Sequence, residues 1–403
     1  MIRPWLDAAR RAPLPLQLLL LLALSRYLTQ GLYAGLFANG FDFKVMHDAA
    51  AAVADGRGAA IYDAFIAFRP GDGSLFYMYP PPAALLLAPF GLLAFTPAFV
   101  LFQVLSHALL WGFWALWIRR WPEPERPEKG LAALVVVLLF YPLYLSLRLG
   151  QTEPLILFCL AAGLYGLRAG RPFAGALFLA AAVWLKLFLG LLLVHLLLRR
   201  RYRDLAWCAF WLAVLFAAGG LAVPWDAQAR YWARLAAPLG LEAFYDNQSV
   251  GGVVHRWLTT TPYATGWIDS PRAASLLQGA LSAVFLAGYA RAALRARGEE
   301  HDGRLLALCL VTALLVAPHA DTHHQALLLA AFLSLPLSLG AAAFYAVLAE
   351  FVPVVADKFL SLPRLAWLAH GPFTPVLSLP FFVLAGFWLY LARGVEAECP
   401  KNV

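Results

Sequence analysis

Charge is what this sequence has least of. Only 13% of its 403 residues are Asp, Glu, Lys or Arg, while 62% are hydrophobic; an ordinary soluble domain is about a quarter charged. A soluble fold of this size would lack the polar surface to cover itself. The apolar runs recur along the whole length and leave no stretch for a sizeable water-soluble domain, so the apolar surface must face lipid. Cysteine is also scarce. The four present (Cys159, Cys208, Cys309, Cys399) lie in or beside apolar runs, and none has CxxC spacing. They read as small buried hydrophobes, not as a disulfide framework or metal site. No Walker A, GxSxG or strand-borne GxGxxG pattern occurs, which disfavours ATP-driven transport. Acidic residues are outnumbered, 23 against 31 Lys and Arg, for a net charge of +8. No basic helix or stacking platform stands outside the apolar runs, so nucleic acid is not an expected partner; the excess reads as the flanks of membrane spans.

The pattern predicts one all-α membrane bundle over residues 1–403, crossing the bilayer roughly ten to thirteen times. The apolar runs are 14–36, 82–97, 98–118, 131–147, 154–168, 172–186, 187–198, 205–223, 273–292, 305–317, 325–339, 341–356 and 374–393. Several are shorter than the roughly 20 residues of an upright crossing, so half-helices, re-entrant segments or merged runs are expected. Arg3, Arg10 and Arg11 before the first run resemble the start of a signal peptide. No small-x-small cleavage site follows, and an uncleaved first span is expected. Arg199, Arg200, Arg201 and Arg203 form a second basic cluster, and Arg291, Arg295, Arg297 and Arg304 a third. All three clusters are expected in the cytoplasm, with both termini. The 37–80 and 224–272 loops and the 318–324 turn then face outward. With Gly150 outside, the 119–130 loop falls inside, which requires 82–118 to cross an even number of times or 82–97 not to cross fully.

Ionisable residues at membrane depth are costly and therefore candidates for function. Lys186, in "AVWLKLFLG", lies at the tip of an outward hairpin. It reads either as a cation for a lipid phosphate or anionic leaving group or as a lysine snorkelling to the headgroups. Asp42, just beyond the first span, reads as a general base for an acceptor hydroxyl or as the N-cap of an amphipathic helix suggested by Val45, Met46, Ala49, Ala50 and Val53; the loop alone favours the cap. Asp48 follows in that segment. "RLGQTEP" sets Arg148, Gln151 and Glu153 at another outer turn. "YDNQSVGGVVHRW" adds Asp246, Asn247, Gln248, Ser249, His255 and Arg256, polar groups suited to sugar hydroxyls or to loop solvation. In "APHADTHHQA", His319, Asp321, His323 and His324 crowd one turn. A phosphate or sugar site, a zinc site and a structural turn are all open, although no HExxH-like spacing supports zinc.

The order of these pieces, "FDFKVMHDAAAAVADGRGAAIYD", "FYMYPPPAALLLAPFGLLAF", "LGQTEPLILFCLAAGLYGLRAGRPFAGALFLAAAVWLKLFLG", "NQSVGGVVHRWL" and "PHADTHHQALLLAAF", resembles glycosyltransferase family 87. This is a branch of the membrane GT-C superfamily that includes polyprenol-phosphate-mannose-dependent α-1,2-mannosyltransferases. The resemblance runs from about residue 35 to 335; the tail after 340 adds little. It implies inverting transfer of a sugar, mannose first among candidates, from a polyprenyl-phosphate donor to a glycolipid or glycan acceptor. Transfer would occur at the outer face of the cell membrane, without a cofactor or metal. Asp42 matches the expected base. Lys186, with His323, His324 and Arg256, would meet the donor phosphate. Asp48, Gln151, Asn247, Gln248, His319 and Asp321 would contact substrate. Tyr79 with Pro80 and Pro81 looks structural. "GQTEP" departs from the usual family pattern. A lipid or solute transporter is the competing class; it would show intramembrane charges on both sides of the midplane and an inverted repeat, and no repeat is visible. A non-catalytic partner in envelope assembly is a third.

Overall fold

The computed structural model describes residues 3–38, 40–69, 76–119, 125–237, 239–296, 298, 301–335 and 366–398. The described part is built of helices joined by irregular segments, its only β pairing being isolated bridges of Thr265 with Thr260 and His370. It is an all-α polytopic membrane protein. Among the described residues four helices are long and apolar enough to cross a bilayer: Phe95–Ile118, Tyr202–Ala222, Pro271–Arg295 and Gly371–Val395. A fifth crossing is made if the bent pair Arg126–Leu139 and Tyr141–Leu149 counts as one. Other predicted runs in the described residues form shorter apolar helices, such as Pro172–Leu185 and Leu187–Leu198, in line with the half-helices and broken runs expected. The predicted span 341–356, the end of 325–339 and Lys401 lie outside the described residues.

The first run, 14–36, is one helical path that loosens into a π-helix at Tyr27–Tyr33. The runs 82–97 and 98–118 do not divide as predicted. The long helix starts at Phe95, and Pro81–Leu87 with Ala88–Leu92 forms a separate short piece. That piece lies against Phe41–Ala54. A carbon added to Gly91 would fall 2.2 Å from the Ala50 carbonyl carbon, and His47 Nε2 is 2.9 Å from the Leu93 oxygen. Residues 81–92 thus belong to a layer capping one end of the bundle. An aromatic core of Phe43, Tyr62, Phe65, Phe99, Phe102 and Tyr231 holds this layer together.

The bend between Leu139 and Tyr141 is 54°. Pro142 has no N–H for the Leu138 carbonyl, and the Tyr144 hydroxyl donates to that carbonyl instead. The second half ends at Gly150, whose φ of +73° makes the left-handed turn that glycine permits.

The basic clusters gather at the other end. Arg199 donates to the Ala296 and Gly298 carbonyls and pairs with Asp302 at 2.8 Å. The N-terminal helix Arg3–Arg11 packs there too: Trp5 meets Trp114, and a carbon on Gly130 would strike Trp5. The start of the Arg126–Leu139 helix is therefore at the basic end, and the chain passes from the capped end to it along Phe95–Ile118 alone.

At the centre, Glu153–Arg168 crosses Pro172–Leu185 with almost no side chain between them. A carbon on Gly166 would lie 2.8 Å from the Gly175 Cα, and one on Gly175 would lie 2.7 Å from the Gly163 oxygen. Small residues allow such close packing where hydrocarbon removes the hydrophobic drive for helix association. Gly175→Leu is expected to destabilise the protein by about 1–3 kcal/mol or more, read as a lower Tm in detergent. Gly279→Ala, with nothing within 4 Å of the added carbon, should leave Tm unchanged. Equal behaviour of the two variants would refute this crossing.

Candidate active site

A cavity of about 420 Å3 opens at the capped end, and residues far apart in sequence converge on it: Asp42, Gln151, Lys186, His319, Asp321, His323 and His324 all line it. Seven residues singled out by sequence reasoning therefore share one site. Asp42 stands in the first turn of Phe41–Ala54, whose N-cap is Gly40 with φ +54°. It caps nothing. Its Oδ2 accepts a hydrogen bond from Gln151 Nε2 at 2.7 Å. Gln151 is brought there by the Gly150 turn, where a side chain would fall 2.5 Å from the Phe43 Cβ.

Lys186 interrupts the hairpin. Pro172–Leu185 ends on it, its own backbone is extended (φ −144°, ψ 100°), and the 3-10 turn Leu187–Gly190 follows. The ammonium does not snorkel outward, because its side chain is only 11% exposed. It lies 3.3 Å from Glu153 Oε1, 2.7 Å from His324 Nε2 and 5.0 Å from the centre of the Tyr79 ring. Glu153 is wholly buried, and Ser146 Oγ donates to its other oxygen at 2.8 Å. Removing either partner of a buried pair leaves an uncompensated charge.

Two participants were missed. Tyr79 looked structural beside its prolines, yet its hydroxyl donates to Gln151 Oε1 at 2.5 Å while its ring underlies Lys186. Asp42, Gln151, Tyr79 and Lys186 thus form one continuous chain of contacts. Glu153 was placed at an outer turn but given no role in the site. The available signal was a carboxylate followed by proline at the start of an apolar run, where a buried acid calls for a cation.

Four predicted contacts fall elsewhere. Asp48 is exposed and pairs with Lys44 at 2.7 Å, one helical turn away on the solvent face. Asn247 Nδ2 donates to the Glu242 and Pro318 carbonyls, and its Oδ1 accepts from the Ala320 N–H. Gln248 Nε2 donates to the Tyr245 and Leu377 carbonyls. Arg256, wholly buried, donates to the Phe244 and Asn247 carbonyls and to Ser378 Oγ. None of these four lines the cavity. The last three fasten the 239–249 loop and the Val250–Leu258 helix to the 318–320 turn and to the 3-10 segment Gly371–Ser378, because buried polar groups take the nearest backbone partners.

In the late turn, burial pushes the Asp321 carboxyl up to about 6; Lys186 opposes this and the Asp42 and Glu153 charges add to it. Burial, then the Lys186 charge, lowers His323 to about 3 and holds His324 well below its ordinary value, so both rings are neutral at pH 7. Neither nitrogen of His323 makes a hydrogen bond. Ligand atoms of Glu153, His323 and His324 approach within 4.8 Å of one another, as a metal would require. The Lys186 ammonium already stands beside two of them and would repel a second cation.

Residues 77–318 match glycosyltransferase family 87, more than half of the chain. The chain belongs to that family. Asp42, His319, Asp321, His323 and His324 lie outside the matched segment, so their place in the site rests on geometry. The chain is also 27% identical over 283 residues to the polyprenol-phosphate-mannose-dependent alpha-(1-2)-phosphatidylinositol mannoside mannosyltransferase of Mycolicibacterium smegmatis, an alignment covering 65% of this chain and 62% of that protein. No solved structure matches.

Asp321 gives the site a pH signature. Its folded-state value of about 6 exceeds the ordinary 3.8. The folded state therefore holds the extra proton between those values, and stability should fall as pH rises through that window, then level off. Asp321→Asn should remove the slope in thermal unfolding measured from pH 4 to 8. An unchanged slope would show that Asp321 is not the group responsible.

Proposed function

We propose that this protein is a membrane glycosyltransferase. It moves a sugar, mannose by the likeness to its relative, from a polyprenyl-phosphate donor to a glycolipid or glycan acceptor at the outer face of the cell membrane. The observation that carries the reading is the continuous contact from a carboxylate, Asp42, to a buried ammonium, Lys186, across one cavity. A base and a phosphate-binding cation are what transfer from a glycosyl phosphate needs. Phosphate leaves without prior protonation, so positioning and charge stabilisation can suffice.

Gln151 occupies Asp42 Oδ2 and leaves Oδ1 to accept the proton of the acceptor hydroxyl. The hydroxyl oxygen then bonds to the anomeric carbon while the bond from that carbon to phosphate breaks. The electron pair goes to the phosphate oxygen, whose charge meets Lys186. Attack on the face opposite the phosphate inverts the anomeric centre.

A second cavity, of about 220 Å3, shares Tyr79, Lys186, His319 and His324 with the first and is otherwise largely apolar, with Leu185, Phe188, Leu235 and Leu239 among its walls. It suits the lipid part of the donor, with the phosphate at Lys186 where the two cavities meet. The basic clusters at the opposite end favour an outward-facing site by the positive-inside rule.

Purified protein incubated with labelled polyprenyl-phosphate mannose and a panel of glycolipid acceptors tests the activity. Asp42→Asn should fold, bind donor and lose about two orders of magnitude or more of turnover; near-normal transfer would remove Asp42 from the mechanism. Lys186→Met should weaken donor binding about tenfold or more, and unchanged affinity would exclude a phosphate contact. Transfer should survive exhaustive chelation. Stoichiometric zinc lost together with activity would make the Glu153 and histidine cluster a metal site instead.

A further inference from the structure

A third cavity, of about 300 Å3, lies at the basic end of the bundle, away from the site described above. It sits between Phe95–Ile118 and Glu153–Arg168, which run side by side toward that end. The two helices touch at Gly112, where an added carbon would fall 2.9 Å from the Phe158 ring. Past this contact Leu116, Trp117 and Arg119 form one wall of the cavity. Ala161, Leu164, Tyr165 and Arg168 form the other; residues three and four apart share one helix face.

The recess itself is apolar, and its mouth carries two exposed guanidinium groups, Arg119 and Arg168. Arg119 is held 5.9 Å above the centre of the Tyr165 ring. Trp117 is pinned by its Nε1, which donates to the Leu333 carbonyl at 3.0 Å. A cation and an aromatic wall are thus in place before any ligand arrives. Among the described residues, none that lines the cavity is acidic. Three acids at this end are committed to other cations: Asp302 to Arg199 at 2.8 Å, Asp204 to Arg201 at 2.7 Å and Glu125 to Lys129. Arg168 feels the charges of Asp302 and Arg201, which act in opposite senses. The positive-inside rule accounts for arginine in excess at this end. It does not account for two guanidinium groups around an apolar recess between spans.

We propose that this cavity binds one anionic phospholipid of the adjoining leaflet. Its phosphodiester lies between Arg119 and Arg168, and the start of an acyl chain runs along Leu116 and Leu164. The guanidinium fork matches phosphate oxygens, and basic pockets between membrane helices hold anionic head groups. This lipid is not a substrate. Arg168 ends the helix that Glu153 begins. The lipid therefore fastens one end of that helix at head-group depth, while the ion pair with Lys186 holds the other.

Full-length protein, stripped of lipid in detergent, is titrated with dioleoyl phosphatidylglycerol or dioleoyl phosphatidylcholine, and native mass spectrometry counts the lipids retained. One phosphatidylglycerol should bind about tenfold more tightly than phosphatidylcholine. Arg119→Gln and Arg168→Gln should each weaken that binding about fivefold. Ala169→Trp, at an exposed position of the lining, fills the mouth without removing a charge and should weaken it as much. Arg203→Gln removes an exposed charge outside the lining and should leave binding unchanged. Equal retention of the two lipids, unchanged binding by Ala169→Trp, or an equal loss in Arg203→Gln would each overturn the site. Glycerol 3-phosphate should not displace the lipid; displacement would make this a site for a soluble phosphate instead. None of these readouts depends on sugar transfer, so their outcome is separate from that of the proposed function.

Discussion

The buried pair of Lys186 and Glu153 is the constraint around which the site is arranged. An ammonium 11% exposed against a carboxylate fully out of water is expensive unless each has further partners. The surrounding chain supplies them: Ser146 on the free oxygen of Glu153, the Tyr79 ring under the ammonium and His324 beside it. These partners come from the bent helix, from the segment before the Pro80–Pro82 run and from the late 3-10 turn. Satisfying one ion pair thereby fixes the relative positions of three parts of the chain.

Tyr79 extends that constraint to the carboxylate side. Its hydroxyl orients the Gln151 amide, so that the carbonyl end faces Tyr79 and the NH2 end faces Asp42. On the proposed reading, the group that receives the acceptor proton and the group that meets the leaving phosphate are held by a single aromatic side chain. Neither is free to drift relative to the other, which is what effective positioning requires.

Much of this was legible in the sequence. Charges in an apolar background stand out, so Asp42, Lys186 and the 319–324 cluster were visible, and Gln151 came through the family likeness. Tyr79 was not, because a tyrosine before prolines at a span boundary has an adequate structural explanation. Glu153 was named at an outer turn but given no partner, because hydropathy places span ends by composition and does not show which buried charges meet. Asn247, Gln248 and Arg256 failed in the opposite way. Their polarity suggested ligand contact, but a loop folded back onto a membrane bundle buries carbonyls that need donors. The division of residues 82–118 into two runs was misread for a related reason. An apolar run shows that a segment avoids water, whereas whether it spans, half-spans or caps depends on breaks at single residues such as Phe140 and Lys186.

The lengths of the central helices have a geometric consequence. At about 1.5 Å of rise per residue, the 16 residues of Glu153–Arg168 extend about 24 Å, and the 24 residues of Phe95–Ile118 about 36 Å. The shorter helix falls short of the roughly 30 Å hydrocarbon core of a bilayer while the longer one exceeds it, and the two touch where Gly112 meets the Phe158 ring. On the proposed reading, a lipid-borne head group would meet Lys186 without its chain having to leave hydrocarbon.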